Sequence, residues 1–331
     1  RSSGGTLPRA VAIEFRPAGK SDRAAILELF EVAFKAPANA ADLAWKYDAN
    51  PHPALSALAI EDGRALGFIG ALGTRYRGET MDQQGNTVVD VMTRPDTRAL
   101  GRAGMFKRLG ELFRRINAEA GTLFDFGFPN ERARKIEERL FGCVLAEPCA
   151  ERGRRLDAPP LLGRLRRRLL RVCEGEPFGR AHEPLAQLLH ARPGWRTDRS
   201  ARTLAWRFSR PGFAYRTFQL LDWRGTSRGF AVVAIRERRA ALVDLQLASE
   251  SDGTLVDLLA AVQERLGAVA ADRMVLRSPQ RGLLASRLEG ELAFVPEPSD
   301  TVLLMHPIAD GFDFLAPGST FDYRFADHDV F

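Results

Sequence analysis

The stretch that most limits what this chain can fold into is VVDVMTRPDTRALGRAGMFKRLGEL, Val88 to Leu112. Apart from Asp90, Thr87 to Thr93 is apolar or β-branched, the pattern of a buried strand. Pro95 cannot donate to a sheet ladder, so the strand must end before it, and Arg94 to Arg102 is expected to form a polar turn. From about Ala103, apolar residues recur at helical spacing: Met105, Phe106, Leu109, Leu112 and Phe113. Strand, glycine-containing turn and helix together make an anion site, because the first helical N–H groups lack internal partners and the helix dipole is positive there. Gly101 and Ala103 leave the main chain open to a pyrophosphate, and Arg98 and Arg102 add charge-assisted contacts. The stretch contains neither G-x-G-x-x-G nor G-x-x-x-x-G-K-[ST], which sets aside the dinucleotide and P-loop fingerprints.

Arg98-Ala-Leu-Gly101-Arg-Ala103 resembles the Q/R-x-x-G-x-G/A pyrophosphate loop of the GNAT superfamily of acyl-CoA-dependent N-acyltransferases, and Met92 to Arg98 (MTRPDTR) resembles that family's lead-in. Gly127 to Cys143 (GFPNERARKIEERLFGC) resembles its fourth-helix pattern, G-x-x-N-x-x-A-x-x-x-Y-x-x-x-G-F, at Asn130, Ala133 and Gly142. The resemblance implies acetyl-CoA or another acyl-CoA as co-substrate and no metal. It implies that the backbone of Val91, Met92 and Thr93 binds the pantetheine and polarises the thioester. Arg98, Ala99, Leu100, Gly101, Arg102, Ala103 and Gly104 would hold the pyrophosphate, and Asn130 would touch the pantetheine arm. The family's tyrosine, proposed to protonate the departing thiolate, is missing here. Glu137 or a neighbour stands at its position and Cys143 replaces the final aromatic.

The order of elements supports the resemblance. Val11–Arg16 alternates as a strand, a helix follows with Ile26, Leu27, Leu29, Phe30 and Phe34 on its apolar side, and ADLAWKYD (Ala40 to Asp48) is a second helix. Leu55–Glu61 and Ala65–Tyr76 form a hairpin, and Gly78–Asn86 is a polar turn into the Val88 strand. Thr122–Phe128 is a strand. Asn130 caps the next helix, with Ala133, Ile136 and Leu140 inward and Phe141-Gly142 at its end. Leu43-Ala-Trp-Lys-Tyr47 recurs 161 residues later as Leu204-Ala-Trp-Arg-Phe208, in the same order of elements, which argues for duplication.

The expected fold is α/β (α+β), two tandem GNAT-like domains, each a mixed, mostly antiparallel sheet flanked by helices. Residues 1–10 are a disordered arm or expression remnant, 11–150 the domain with the acyl-CoA site, and 151–179 a basic linker helix with Leu161, Leu162, Leu165, Leu169 and Val172 on one side. Residues 180–307 are a degenerate GNAT-like domain ending in a strand at Thr301–His306, and 308–331 a tail that serves as a strap or a lid. The second domain's loop, Ala248-Ser-Glu-Ser-Asp-Gly253, has two acids and no arginine and should repel a pyrophosphate. One cofactor site is therefore expected.

Among candidate catalytic residues, Asp90 interrupts an apolar strand, where a carboxylate is either a base or a satisfied structural aspartate. Glu137 is a candidate acid or water relay, or a solvated residue of a charged helix surface. His52, His182, His190, His306 and His328 show no ligand spacing; surface or capping roles are expected, His328 being flanked by aspartates. Gly225-Thr-Ser227-Arg-Gly229 fits G-x-S-x-G but joins two strands, so a hairpin turn is expected there.

Composition narrows the partners. The three cysteines lack C-x-x-C spacing, and no apolar run reaches about 18 residues. No zinc framework, secretory signal or integral membrane segment is expected, and a reducing cytoplasm is the expected setting. The net charge of +6 suits a polyanionic cofactor, and no nucleic-acid motif accompanies it. The expected activity is N-acyl transfer to a small-molecule primary amine, preferably an amino sugar, nucleotide-linked ones included. An aminoglycoside-like compound, a protein lysine or a non-catalytic CoA-binding role are the alternatives.

Overall fold

The computed structural model describes residues 12–78, 81–99, 103–158, 161, 170–175, 177–250, 253–267, 271–280, 282–299, 301–309 and 321–327. The expected arm, Leu100 to Arg102, residues 162–169 of the expected linker, most of the tail and His328 lie outside them.

The first half runs β1 (Glu14–Pro17), α1 (Arg23–Phe34), α2 (Ala40–Tyr47), β2 (Leu55–Glu61), β3 (Arg64–Gly78), β4 (Met81–Thr93), α3 (Pro95–Ala99), α4 (Ala103–Glu119), β5 (Phe124–Gly127), α5 (Glu131–Phe141) and β6 (Val144–Pro148). Then come β7 (Ala150–Arg155), β8 (Leu170–Glu174), α6 (Glu183–His190), β9 (Trp195–Thr197) and α7 (Ala201–Arg207). The chain continues through β10 (Tyr215–Asp222), β11 (Ser227–Arg236), β12 (Arg239–Leu247), α8 (Thr254–Leu266), β13 (Arg273–Ser278), α9 (Leu283–Gly290), β14 (Val295–Glu297), β15 (Val302–Pro307) and β16 (Phe321–Asp322). Two mixed sheets result. One is ordered β1-β2-β3-β4-β5-β15-β6 with β9 and β16 at its margin, the other β14-β7-β13-β12-β11-β10-β8.

Local signals explain the element ends. The Asn39 side chain accepts from Ala41 N and Asp42 N to start α2, Asn130 accepts from Ala133 N to start α5, and Ser200 accepts from Thr203 N to start α7. Gly142, at φ 68°, closes α5 in the left-handed conformation that glycine adopts freely. The GTSRG segment lies on the β10–β11 hairpin, as its strand-to-strand position required.

Several expectations need correcting. The turn at Gly78–Asn86 is shorter than expected, because β4 begins at Met81 and stays paired with β3 out to Gly78. Asp82 there takes ion pairs from Arg75 and Arg77, so the polar residues serve a ladder. Part of the expected turn at Arg94–Arg102 is α3, with Pro95 at a first-turn position that needs no N–H partner. α5 is rotated from expectation. Ile136 is 40% and Leu140 38% exposed, and the inward row is Ala133, Glu137 and Phe141. Phe141 lies on Gly110 of α4, where a methyl group would collide with its ring, and beside Phe106.

The largest correction concerns which strand belongs to which sheet. The expected linker 151–179 instead supplies β7 and β8 to the second sheet. Leu170 and Val172 alternate toward that sheet's core, a period of two that a leucine-arginine helix reading overlooks. The last expected strand of the second domain, β15, pairs with β5 and β6 of the first sheet. The second half thus gives the first sheet β15, between β5 and β6, and β9 against β3, with β16 beyond it.

The repeated segment meets itself. Trp45 and Trp206 stack at 4.8 Å between ring centroids and 13° between planes. Each indole Nε1 donates to the other's backbone carbonyl, at 2.8 and 3.0 Å. Equivalent residues making reciprocal contacts is the signature of a local two-fold axis.

Candidate active site

β4 and β5 run parallel, yet only Asn86 and Thr87 pair with β5, opposite Asp125 and Phe126. One residue further, Gly127 pairs with Leu304 of β15, while β4 from Val88 on keeps its pairing with β3. The two strands therefore part at Val88. The edge of β4 that carries Val91, Met92 and Thr93 faces the gap. On the β3 side the register slips, with Gly70 opposite Asp90 and Ala71 opposite Val88, so Val89 is an extra residue. This bulge re-aims the strand. Val88 and Val91 pack with α4, and Asp90 faces α1 and α2.

On the α4–α5 side, a cavity of about 50 Å³ lies behind the gap, lined among others by Val88, Val91, Asp125, Gly127, Glu137, Cys143 and His306. Burial pushes the Asp125 carboxyl up to about 7, with the Asn86 amide opposing in part. Burial also pushes Glu137 up to about 7 and the Cys143 thiol up to about 12. The same cause holds His306 down to about 4. Glu137 is thus half-buried and protonatable near neutrality, which rules out the fully solvated reading of it. His306, expected at the surface, lines this cavity.

On the opposite face lies a cleft of about 260 Å³, lined by Leu27, Phe30, Asn39, Asp42, Lys46 and Asp90 of the first half and by Arg210 and Phe213 of the second. Asp90 is no isolated carboxylate. Lys46 Nζ donates to one oxygen at 3.0 Å and the Tyr47 hydroxyl to the other at 2.7 Å. Gly70 is required beside it, because a side chain there would fall on the Tyr47 hydroxyl. Arg210 crosses between the halves to Asp42 at 2.8 Å.

The other expected contacts are scattered by comparison. Leu100, Gly101 and Arg102 are outside the described residues. Arg98 and Ala99 end α3, and Ala103 and Gly104 begin α4, with nothing within 4 Å of where a Cβ on Gly104 would sit. The Asn130 side chain is engaged as the α5 cap. Residues overlooked in the sequence are Asp42, Lys46, Asp125, His306 and Arg210. Asp125 carried the same signal as Asp90, one acid inside an apolar strand. Among the described residues no cluster of three or more His, Cys, Asp or Glu could hold a metal ion, and no helix is long and apolar enough to cross a membrane.

The second sheet has a matching gap, since β12 pairs with β13 only from Arg239 to Leu242. The chain's own end fills it. Arg324 Nε donates to Leu245 O at 3.2 Å, and Ala326 packs with Val243 and Val275. Asp327 takes bonds from Thr197 and from Arg199, which also pairs with Asp244. This part of the tail is a strap.

No family profile and no curated protein matches the sequence. Solved structures do match the fold. A conserved protein of unknown function from Enterococcus faecalis V583 aligns with TM-score 0.68 at 12% identity, over 90% of this chain and 73% of that one. A tandem GNAT protein from the clavulanic acid biosynthesis pathway aligns at 0.59 and 14%, over 91% of this chain and all of the other. A GCN5-related N-acetyltransferase from Anabaena variabilis aligns at 0.66 and 11%, over 89% and 73%. The chain has the tandem GNAT fold.

Proposed function

We propose that this tandem GNAT chain is an N-acyltransferase that moves an acyl group from acyl-CoA to a primary amine, with a single cofactor site in its first half. The observation that carries the reading is the parting of β4 from β5 at Val88, next to a half-buried acid, Glu137. A bound acyl-CoA supplies an activated thioester carbonyl. The edge of β4 that faces the gap at Val91–Thr93 would offer backbone groups to a pantetheine arm and to that carbonyl, and Arg98 to Gly104 are assigned to the pyrophosphate. The open surroundings of Gly104 fit a polyanion approaching the start of α4. Glu137, which lines the cavity behind that edge and is pushed up to about 7 by burial, is the assigned donor of a proton to the departing sulfur.

The amine enters from the opposite face. Asp90 and Asp42 hold an ammonium group there, and Asp90 takes its proton, Lys46 and Tyr47 stabilising the carboxylate meanwhile. We propose an amino sugar, free or nucleotide-linked, as acceptor. The cleft pairs carboxylates and cations with two phenyl rings and is near the lower size bound of small-molecule sites, about 300 Å³. Filling of the second gap by residues 321–327 supports a single cofactor site. A non-catalytic CoA-binding role is the second reading, favoured by the engagement of both Asp90 oxygens.

The test is calorimetric titration of the full chain with CoA and acetyl-CoA, then turnover on a panel of amino sugars, aminoglycosides and lysine peptides. Saturation at one ligand per chain is expected. Failure to bind short and long acyl-CoAs would remove the reading. Binding without turnover would favour the second one.

A further inference from the structure

The cavity behind the gap contains more titratable chemistry than the proposed reaction has used. Asp125 on β5 and His306 on β15 are direct cross-strand partners. Partners in register point to the same face, with Cβ atoms about 5 Å apart, and both side chains line the cavity that Glu137 enters from α5. Each has one satisfied and one unsatisfied atom among the described residues. Asp125 Oδ1 accepts from Asn86 Nδ2 at 3.2 Å, while Oδ2 has no partner. The His306 ring bonds to the backbone of Phe141, while Nε2 has no partner. Buried polar atoms are nearly always satisfied, by protein or by water. The cavity, about 50 Å³, exceeds the roughly 30 Å³ share of one water molecule, and such a water needs two to four polar partners. Asp125 Oδ2, His306 Nε2 and the Glu137 carboxyl supply three.

We infer that Asp125, His306 and one buried water form a proton relay that resupplies Glu137, a role that rests on the acyltransferase reading above. When Glu137 gives its proton to the sulfur as the C–S bond breaks, the resulting carboxylate takes a proton from the water. The water takes one from the Asp125 carboxyl and keeps its second O–H on His306 Nε2. Asp125, now ionised, retains the Asn86 N–H and, after product leaves, regains its proton back through the same water from the half-exposed Glu137, which takes one from solvent. The amine loses one proton on the other face and the sulfur gains one, so the cycle balances.

The charge surroundings suit the relay. Asp125 and Glu137 are both neutral acids in this desolvated space up to about pH 7, and His306 is neutral above about pH 4. The other charged or titratable groups felt there are Arg114 from α4, Glu138 from α5 and the Cys143 thiol. Burial, with the Arg114 charge adding to it, keeps the imidazole from charging.

The experiment is steady-state kinetics of the full chain and of Asp125→Asn, His306→Gln and their double variant, with proton inventories in mixed H₂O and D₂O. Each single variant should lose about tenfold in kcat, less than the roughly hundredfold or more expected for loss of a direct general acid, because Glu137 itself remains, with KM for acyl-CoA unchanged. The double variant should lose no more than either single one, because one relay is broken once. The curved wild-type inventory should become linear in both. Single variants within twofold of wild type, multiplying losses, or an unchanged inventory would overturn the relay while leaving the acyltransferase reading intact. Absence of turnover with every acyl-CoA overturns the parent reading, and the relay with it. If Asp125→Asn fails to fold, His306→Gln carries the same test alone.

Discussion

Replacing Asp125 by asparagine should make the protein's stability less dependent on pH, and the size of the change follows from its surroundings. Asp125 has no solvent exposure, and burial raises it from its ordinary 3.8 to about 7. A carboxyl that binds its proton more tightly when folded destabilises the fold as pH rises, from the unfolded value up to the folded one. The span from 3.8 to about 7 corresponds to roughly 4 kcal/mol as an upper bound, at about 1.4 kcal/mol per pH unit. Glu137, raised from 4.5 to about 7, adds a slope of the same sign. His306, lowered from 6.5 to about 4, has the opposite sign, since its folded form binds fewer protons, and it offsets one carboxylate between those values. Together these three groups should cost stability at about one net proton's slope between pH 4.5 and 6.5, and more steeply up to about 7. Asp125→Asn keeps the shape and can still accept from Asn86, but it cannot ionise. Urea unfolding at pH 5 and pH 8 measures the difference. The variant should gain on the order of 2 kcal/mol or more relative to wild type between the two pH values, and the shared contribution of every other titrating group cancels. An equal difference at both pH values would mean that Asp125 is ionised at pH 5 or is reached by water, and would refute the reasoning.

Other expectations are simpler. Arg98→Glu and Gly101→Glu should each weaken CoA binding, by setting negative charge against the pyrophosphate; unchanged calorimetric affinity in both would sink the loop assignment. Phe141→Ala should cost about 3–5 kcal/mol if its ring is as tightly held as its seat on Gly110 implies, and thermal unfolding measures it. Lys46→Met should remove the ammonium that pairs with Asp90 while the Tyr47 hydroxyl still donates to the carboxylate. Turnover should then gain a new dependence on an acid group at higher pH, visible as a shifted acidic limb of the rate profile.

The local code was largely legible. The Val88–Leu112 stretch announced its strand and helix because alternation and helical spacing are local properties, and Asn39, Asn130 and Gly142 are short-range signals. The site was legible only where residue type and neighbourhood agree. Glu137 was found by its place in a motif, but its half-burial depends on the turn of α5, which Phe141 on Gly110 decides from another helix. His306 could not be found, because the strand that carries it pairs with β5, residues far away in sequence. Lys46 and Arg210 carried no local signal; they stand out only by meeting Asp90 and Asp42 across elements.

The strands that the second half gives the first sheet bear on the proposal of a single site. β15 completes the first sheet between β5 and β6, and it brings His306 to the cavity. β7 sits between β13 and β14 of the second. A fragment ending at Pro148 would leave β5 and β6 without the strand between them, exposing unpaired backbone that invites aggregation. It would also lack Trp206 and Arg210, and with them the stack on Trp45 and the ion pair to Asp42. The second half gives the first the strand β15, part of the lining of the cleft beside Asp90 and half of the tryptophan pair. None of these needs a cofactor in its own gap, which the strap can fill at no loss to the first site. Expressed alone, residues 12–148 should be insoluble or unfolded by circular dichroism, and co-expression with residues 149–331 should restore a soluble complex. A folded, monomeric 12–148 fragment would show that the borrowed strand is dispensable.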